Sequence, residues 1–437
     1  MPVDVVVGNQ RGDEGKGSIV DYMMSEYQIG ARYGGGNNAG HTSVTENGQI
    51  QRLHGLPTSI LREGTISIIG NGCVIYPPQL FGEIGALTSQ GIDVNPGNLY
   101  ISPAAHLTLP SYINEEIILE SGSGAQGSTK CGIQGAYAAK TLRKGVRAEM
   151  INNDPDQLLW ITFNRLREQR RWLGRMAGFS VKEDKETARS YVEAAKAIGA
   201  FVTEDTVELL NNKLRDDVPA RVLAEGAQGF LLDLDHGMYP YTTSSSTTVG
   251  GVCSGLGIAP EFIRKVTGIS KAVQSHVGGG PFVTEIHNEK KLAALYGDMT
   301  SVDAERGVTT GRTRRLGFLD LPQIRRAQLV NGTKDHQDMA LTKLDWVPRF
   351  GKYVNICFAY VLKGQVMSNA PDSAADLENA VPLYDILPTW QEDITGIRHF
   401  EDLPVNAQHY VEYIEDKTGI HISMIGVGPR RDQIILR

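Results

Sequence analysis

Gly8-Asn9-Gln10-Arg11-Gly12-Asp13-Glu14-Gly15-Lys16-Gly17-Ser18 gathers glycines, two carboxylates and a lysine in one short stretch. Glycines let backbone N–H groups approach a phosphate without Cβ interference, a helix N-terminus adds partial positive charge, and Lys16 supplies a point charge. Asp13 and Glu14 would repel such a phosphate on their own, so they imply either Mg²⁺ or a proton to abstract. The gap between Gly12 and Gly15-Lys16 is too short for the common P-loop. In Gly35-Gly36-Asn37-Asn38-Ala39-Gly40-His41-Thr42 the histidine follows residues too small for a core strand, which makes it a candidate acid or phosphate partner. Gly307-Val308-Thr309-Thr310-Gly311-Arg312-Thr313-Arg314-Arg315 has no apolar periodicity. It reads either as a solvated basic loop or as a clamp whose guanidinium groups grip carboxylates bidentately.

These residues need elements to position them. The apolar run Val3-Asp4-Val5-Val6-Val7 before the first loop and the pattern Ile19-Val20-Asp21-Tyr22-Met23-Met24 after it predict strand, loop and helix. Further strands are expected within 65–69, 99–102, 221–224, 339–342, 354–358 and 420–425, separated by long stretches rather than hairpin turns. That spacing predicts an α/β fold with a large, mostly parallel central sheet. The charged, helical composition of about 155–215 predicts a helical insertion within one domain spanning 1–437, with the arginines near Arg170 on a solvated face.

With 437 residues and 41% hydrophobic content the chain can bury a large core. It has no apolar run of membrane-spanning length and no signal-type leader, so a cytoplasmic location is expected. Cys73, Cys131, Cys253 and Cys357 lie far apart without metal-ligand spacing, which fits reduced thiols. A net charge of −7 argues against non-specific nucleic-acid binding and leaves small anions for the arginine clusters.

The stretch Gln10 to Gly17 closely resembles the N-terminal signature of adenylosuccinate synthetases, in which tryptophan is usual at the position of Arg11. Gly35 to Thr42 is similar to the second signature, with Asn37 in place of histidine. Gln126 to Tyr137 matches in part, with Lys130-Cys131 where glycine and arginine are usual and Gly135 where proline is. Glu225-Gly226-Ala227-Gln228-Gly229 and the segment to Ser245 resemble the family almost unbroken, Ser246 replacing asparagine. Thr313 departs from arginine, and Gly426-Val427 from a Ser-Thr pair.

The resemblance implies a homodimeric ligase that joins L-aspartate to IMP with GTP, through a 6-phosphoryl intermediate. It implies Asp13 as the base at N1–H of IMP, His41 as acid, and Lys16 and Gln228 beside them. One Mg²⁺ per subunit would sit on the Asp13 carboxylate and the Gly40 carbonyl. IMP would be held by Asn38, Thr129, Gln228, Thr243 and Arg312, with Arg143 contributed by the neighbouring subunit. L-Aspartate would fall to Thr309, Thr310, Arg312 and Arg314. GTP would fall to Gly12, Gly15, Lys16, Gly17, Gly40, Thr42 and Arg314, with Lys343, Asp345 and Gly428 around the base. A carboxylate at Asp345 accepts from guanine N1–H and N2–H₂, a pairing adenine does not offer. Three rivals are a phage-type relative acting on dGMP, which generally has a smaller residue at position 13, a P-loop-like NTPase without ligase activity, and a silent nucleotide-binding protein.

Overall fold

The computed structural model describes residues 2–46, 48–122, 125–173, 181–202, 205–296, 298–299, 304–307, 311–333 and 335–437. Val3–Gly8 is buried along its whole length, because parallel strands lie on both sides of it and the sheet is covered on both faces. From one edge to the other the nine-stranded sheet runs Ile434–Leu436, Ile422–Gly426, Gln337–Thr342, Ile263–Lys271, Val3–Gly8, Val222–Glu225, Ile29–Arg32, Ile66–Ile69 and Leu99–Ile101. Only the first pair is antiparallel. The parallel strands end on the same side, and an open sheet of this kind binds ligands outside those carboxyl ends.

Three of these strands were not anticipated, the edge strand Ile434–Leu436, Ile29–Arg32 and the central Ile263–Lys271. The last opens with Arg264 and Lys265, which disguise it as a surface segment. Arg264 pairs with Asp4, and Lys265 pairs with Asp338 at 2.6 Å, so the sheet carries these charges at the start of its strands. The run at 354–358 is a strand, but it belongs to Tyr353–Leu362, which pairs antiparallel with Val381–Pro388 and Gln365–Met367 in a second sheet.

Within 155–215 lie the helices Pro155–Leu173, Val181–Ala197 and Thr206–Arg215. Arg171 is exposed as expected, whereas Arg170 is turned toward Asp184 of the next helix at 2.5 Å and ties the two together. All four cysteines are free. No helix among the described residues is long and apolar enough to cross a membrane.

Close backbone approach fixes the segment leading to His41. A Cβ on Gly72 or on Gly255 would lie 2.0 Å from the Tyr33 carbonyl oxygen, so these glycines clamp the chain just after Ile29–Arg32. Gly255→Ala is therefore expected to cost about 1–3 kcal/mol through overpacking. Gly82→Ala, in the helix Pro77–Ser89 with open space around the new methyl, should instead stabilise by about 1 kcal/mol. Urea unfolding of the two variants checks the opposite signs.

Candidate functional site

The first loop folds around a carboxylate. Glu14, fully buried, accepts from the backbone N–H of Gly12 at 2.8 Å and of Gln10 at 3.2 Å, and from Lys16 Nζ at 2.7 Å. The pair read from sequence as two anions beside a phosphate is thus divided. Glu14 shapes the loop from inside, and Asp13, its side chain 26% exposed, is the carboxylate presented to the cleft. Gly12 and Gly15 adopt positive φ of 83° and 85°, a turn that an L-residue resists, and Gly15 leads into Lys16–Met23 with no side-chain cap. The first N–H groups of that helix are left for a ligand.

His41 opens the short strand His41–Val44 and is 5% exposed, so the expectation of an open loop is corrected. Its Nδ1 is bonded to Glu225, the last residue of Val222–Glu225, while Nε2 has no partner. Burial lowers the His41 pKa and Glu225 opposes it; burial works to raise that of Glu225, but His41, Arg32 and Thr58 outweigh it and keep the carboxylate ionised.

A second buried carboxylate organises a cluster of cations behind Asp13. Glu305 is fully buried and bonds Lys271 at 3.1 Å, Arg314 at 3.1 Å and Lys343 at 2.6 Å. Burial would raise its pKa, but the three cations drive it well below the ordinary carboxylate value. Desolvation brings Lys271 down to about 8. Arg314 also donates from Nε to Asp13 at 2.8 Å, which joins this hub to the first loop.

Asp13 and His41 face a cleft of about 390 Å³. Its lining includes Gly12, Asp13, Lys16, Asn38, Gly40 and His41 from the first two blocks. Thr129, Gln228, Thr243 and Arg312 join from far along the chain. Gln228, at φ 56°, leaves both side-chain amide atoms unpaired, as Thr243 leaves its hydroxyl. Buried polar atoms without partners are costly, so this set has the character of a site completed by a polar ligand. Arg312 donates to the carbonyls of Gly127 and Ser128 at 2.7 and 2.9 Å and thereby ties its loop to the one carrying Thr129.

Other expected residues lie outside that lining. Gly15, Gly17 and Thr42 surround the helix N-terminus: a Cβ on Gly17 would fall 3.0 Å from the Thr42 carbonyl oxygen, and one on Gly15 would fall 3.6 Å from Thr342. Thr342 ends Gln337–Thr342 and delivers Lys343, at φ 57°, and Asp345 behind it. A Cβ on Gly426 would fall 3.4 Å from the same threonine, so the strand that leads to Gly428 ends beside the one that leads to Lys343. Arg143 is exposed just beyond Ile133–Thr141, away from the cleft of its own chain. Thr309 and Thr310 lie outside the described residues.

Among the described residues no group of three or more His, Cys, Asp or Glu is gathered for a metal. The Asp13 carboxylate and the Gly40 carbonyl are hard oxygen donors on one cleft, a set that fits Mg²⁺ completing its shell with water and substrate phosphates.

The adenylosuccinate synthetase family model matches residues 5–435. The chain belongs to the adenylosuccinate synthetase family. It is 41% identical over 432 residues to the adenylosuccinate synthetase of Geobacillus kaustophilus, covering 98% of this chain and 97% of that relative. The fully ligated adenylosuccinate synthetase of Plasmodium falciparum superposes with a TM-score of 0.89 at 32% identity, each chain covered completely. The cyanophage S-2L succinoaminodeoxyadenylate synthetase bound to dGMP and dATP gives a TM-score of 0.60 at 20% identity, over 99% of this chain and 95% of that one, and shares the fold.

Sequence reasoning for this family member missed Glu305, Lys271 and the bond from Glu225 to His41. The acids Asp303 and Glu305 just before the arginine-rich loop were the available signal, since a carboxylate among cations often pairs. No local pattern pointed to Glu225, whose partners His41 and Thr58 are distant in sequence.

Removing the Glu305 charge takes the carboxylate away from the fully buried Lys271 ammonium, so Glu305→Gln is expected to cost about 3–5 kcal/mol near neutral pH. Because the folded-state pKa is depressed, this contribution is full above the ordinary carboxylate pKa and fades as pH falls through the folded value. Denaturant midpoints of the two proteins should therefore converge on acidification below about pH 4.5.

Proposed function

We propose that this chain catalyses the ligation of L-aspartate to IMP with GTP, giving adenylosuccinate, GDP and phosphate. The family match supports the reaction. The observation that carries the reading for this chain is the division of its residues. Asp13, Lys16, His41 and Gln228 line the cleft together with the departure at Arg11, whereas those at Lys130, Cys131, Gly135 and Ser246 do not. Cys131 is turned to the Thr129 carbonyl at 3.5 Å, Ser246 bonds Thr248 at 3.1 Å, and a Cβ at Gly135 would meet Tyr112 at 2.7 Å. The changes at Cys131, Gly135 and Ser246 answer to local packing, and nothing in the comparisons favours the dGMP-using alternative.

The 6-oxo group of a purine leaves poorly as oxide, so it is first converted to a phosphoryl ester. Asp13, freed from Arg314 by the incoming substrate, takes the N1 proton and makes O6 nucleophilic toward the γ-phosphorus of GTP. His41 Nε2 and Lys16 stabilise charge on the transferring group and its leaving phosphates. The amine of aspartate then attacks C6, a bond forms from N to C, and phosphate departs with the C–O bond. Arg312 and Arg314 hold the aspartate carboxylates beside that carbon. Mg²⁺ on Asp13 and Gly40, when bound, offsets negative charge on the nucleotide phosphates.

A homodimer with Arg143 reaching the partner's IMP phosphate fits the arginine's exposed position. Leu119, Leu142 and Trp160, on or just beyond helices that pack together, are 54%, 64% and 65% exposed and offer apolar surface for a second copy. A cytoplasmic location accords with four free cysteines.

Incubation of L-aspartate with IMP or dGMP, each with GTP or ATP, followed by mass spectrometry, tests the reading. Adenylosuccinate from IMP and GTP is the expected dominant product, and a dominant dGMP product would replace the substrate assignment. Asp13→Ala should lower kcat by about 10²–10⁴, as expected for a lost general base. Arg143→Leu should raise KM for IMP by about 10–100-fold through loss of a charged hydrogen bond while leaving unfolding unchanged.

A further inference from the structure

The helix Pro110–Leu119 and its C-terminal cap carry two carboxylates one turn apart, and both hold the loop that follows. Glu120, the cap residue, accepts on Oε1 from the backbone N–H of Gln126 at 2.9 Å, and on Oε2 from those of Gly127 at 2.9 Å and Ser128 at 3.0 Å. Glu116, 5% exposed, takes the N–H of Gly132 at the far end of the loop. The carbonyls of the same three residues go elsewhere. That of Gln126 accepts from the Gly279 N–H at 3.2 Å, and those of Gly127 and Ser128 accept from Arg312 at 2.7 and 2.9 Å. Each backbone donor and acceptor of 126–128 thus has a partner, which ties the stretch to one conformation. Gly127 sits at φ 82°, and a Cβ on it would fall 2.9 Å from the Gly279 nitrogen, so the seat is close as well as bonded.

A negative charge is disfavoured at a helix C-terminus, where the dipole is itself negative. At Glu120 that cost is offset by three successive amides, which form a nest for an anion and bond it with charge assistance. Gly279, Arg312 and Thr129 line the cleft, whereas Glu120 lies outside that lining. The carboxylate therefore grips the loop from behind and leaves Thr129, the next residue, facing the ligand volume.

We propose that Glu120 is a positioning residue for the substrate phosphate: by holding the amides of Gln126, Gly127 and Ser128 it keeps their loop in its binding shape before IMP arrives. The proposal rests on the reading of Thr129 as a contact of that phosphate. Apparent affinity falls in proportion to the fraction of chains whose site is formed, so a loop ordered in advance lowers the IMP concentration needed without altering the chemical step.

The experiment is hydrogen exchange of 126–128 in the ligand-free full chain, read by mass spectrometry, alongside steady-state kinetics. In Glu120→Ala the exchange should quicken by about tenfold or more, and saturating IMP should restore protection. KM for IMP should rise by about tenfold or more, as when only about a tenth of the chains hold the loop ready, while kcat and KM for GTP stay within about threefold. Glu120→Gln keeps one accepting oxygen but turns an NH₂ toward the loop's donors, so both readouts should fall between wild type and Glu120→Ala.

Unchanged exchange in Glu120→Ala, or a KM for IMP equal to that of wild type, overturns the proposal. A KM that falls overturns it as well, since the carboxylate would then be competing with the phosphate. Should Glu120→Ala fail to fold, Glu120→Gln decides by the same two readouts. A wild-type chain that forms no adenylosuccinate would count against the reaction, and ligand-free exchange would still decide whether Glu120 holds the loop.

Discussion

A buried carboxylate must be paid for with several partners, since desolvating one ion costs several kcal/mol. Glu14, Glu225 and Glu305, none more than 1% exposed, lie beneath the cleft and meet that demand in different ways. Glu14 uses the loop's own amides and Lys16, Glu225 uses an imidazole and a threonine, and Glu305 uses three cations from separate parts of the chain. Each network can close only if its loop has one conformation. The cost of burying the charge is thereby converted into precise placement of Asp13 and His41 on one cleft and of Arg314 against Asp13.

The parallel sheet explains why so few residues suffice. Strands ending at Gly8, Arg32, Glu225, Lys271, Thr342 and Gly426 finish on the same side, so the loops that follow them face one another across short distances. Gln10 illustrates the coupling: its side chain exchanges hydrogen bonds with the backbone of Lys271 at 2.8 and 3.2 Å, tying the first loop to the end of the neighbouring strand. Contacts of this kind span most of the sequence, and they hold the site more rigidly than any single loop could.

This geometry also accounts for what was legible beforehand. Local patterns sufficed for Val3–Gly8, the glycine loop and the helix behind it, because strand, turn and helix N-terminus follow from adjacent residues. Asp13, Lys16, His41, Gln228, Thr243 and Arg312 were identified by type and motif, and the fold brings them to one cleft. The inward turn of Glu14 was not legible, since an acid in a phosphate loop looks the same whether it faces the ligand or the loop's own amides. Ile263–Lys271 was hidden for a related reason. Its charges are satisfied by Asp4 and Asp338 of flanking strands, partners that a linear reading cannot supply.

Arg11 is a prominent substitution on the wall of the cleft itself. A guanidinium in a phosphate loop would ordinarily be assigned to the phosphates, yet this one is 3% exposed and lies 4.5 Å from the centre of the Phe282 ring. Its three nitrogens have no hydrogen-bond partner, and desolvation lowers its pKa to about 10. The position asks for a flat group against an aromatic face, a demand that a guanidinium meets as an indole does, with cation–π attraction offsetting part of the desolvation cost. Asp320 contributes through its field rather than through a bond. The substitution therefore sets a cation backed by an aromatic ring on the wall of the cleft beside Gly12, Asp13 and Lys16, and position 11 shares with them in deciding which ligand chemistry the loop can serve.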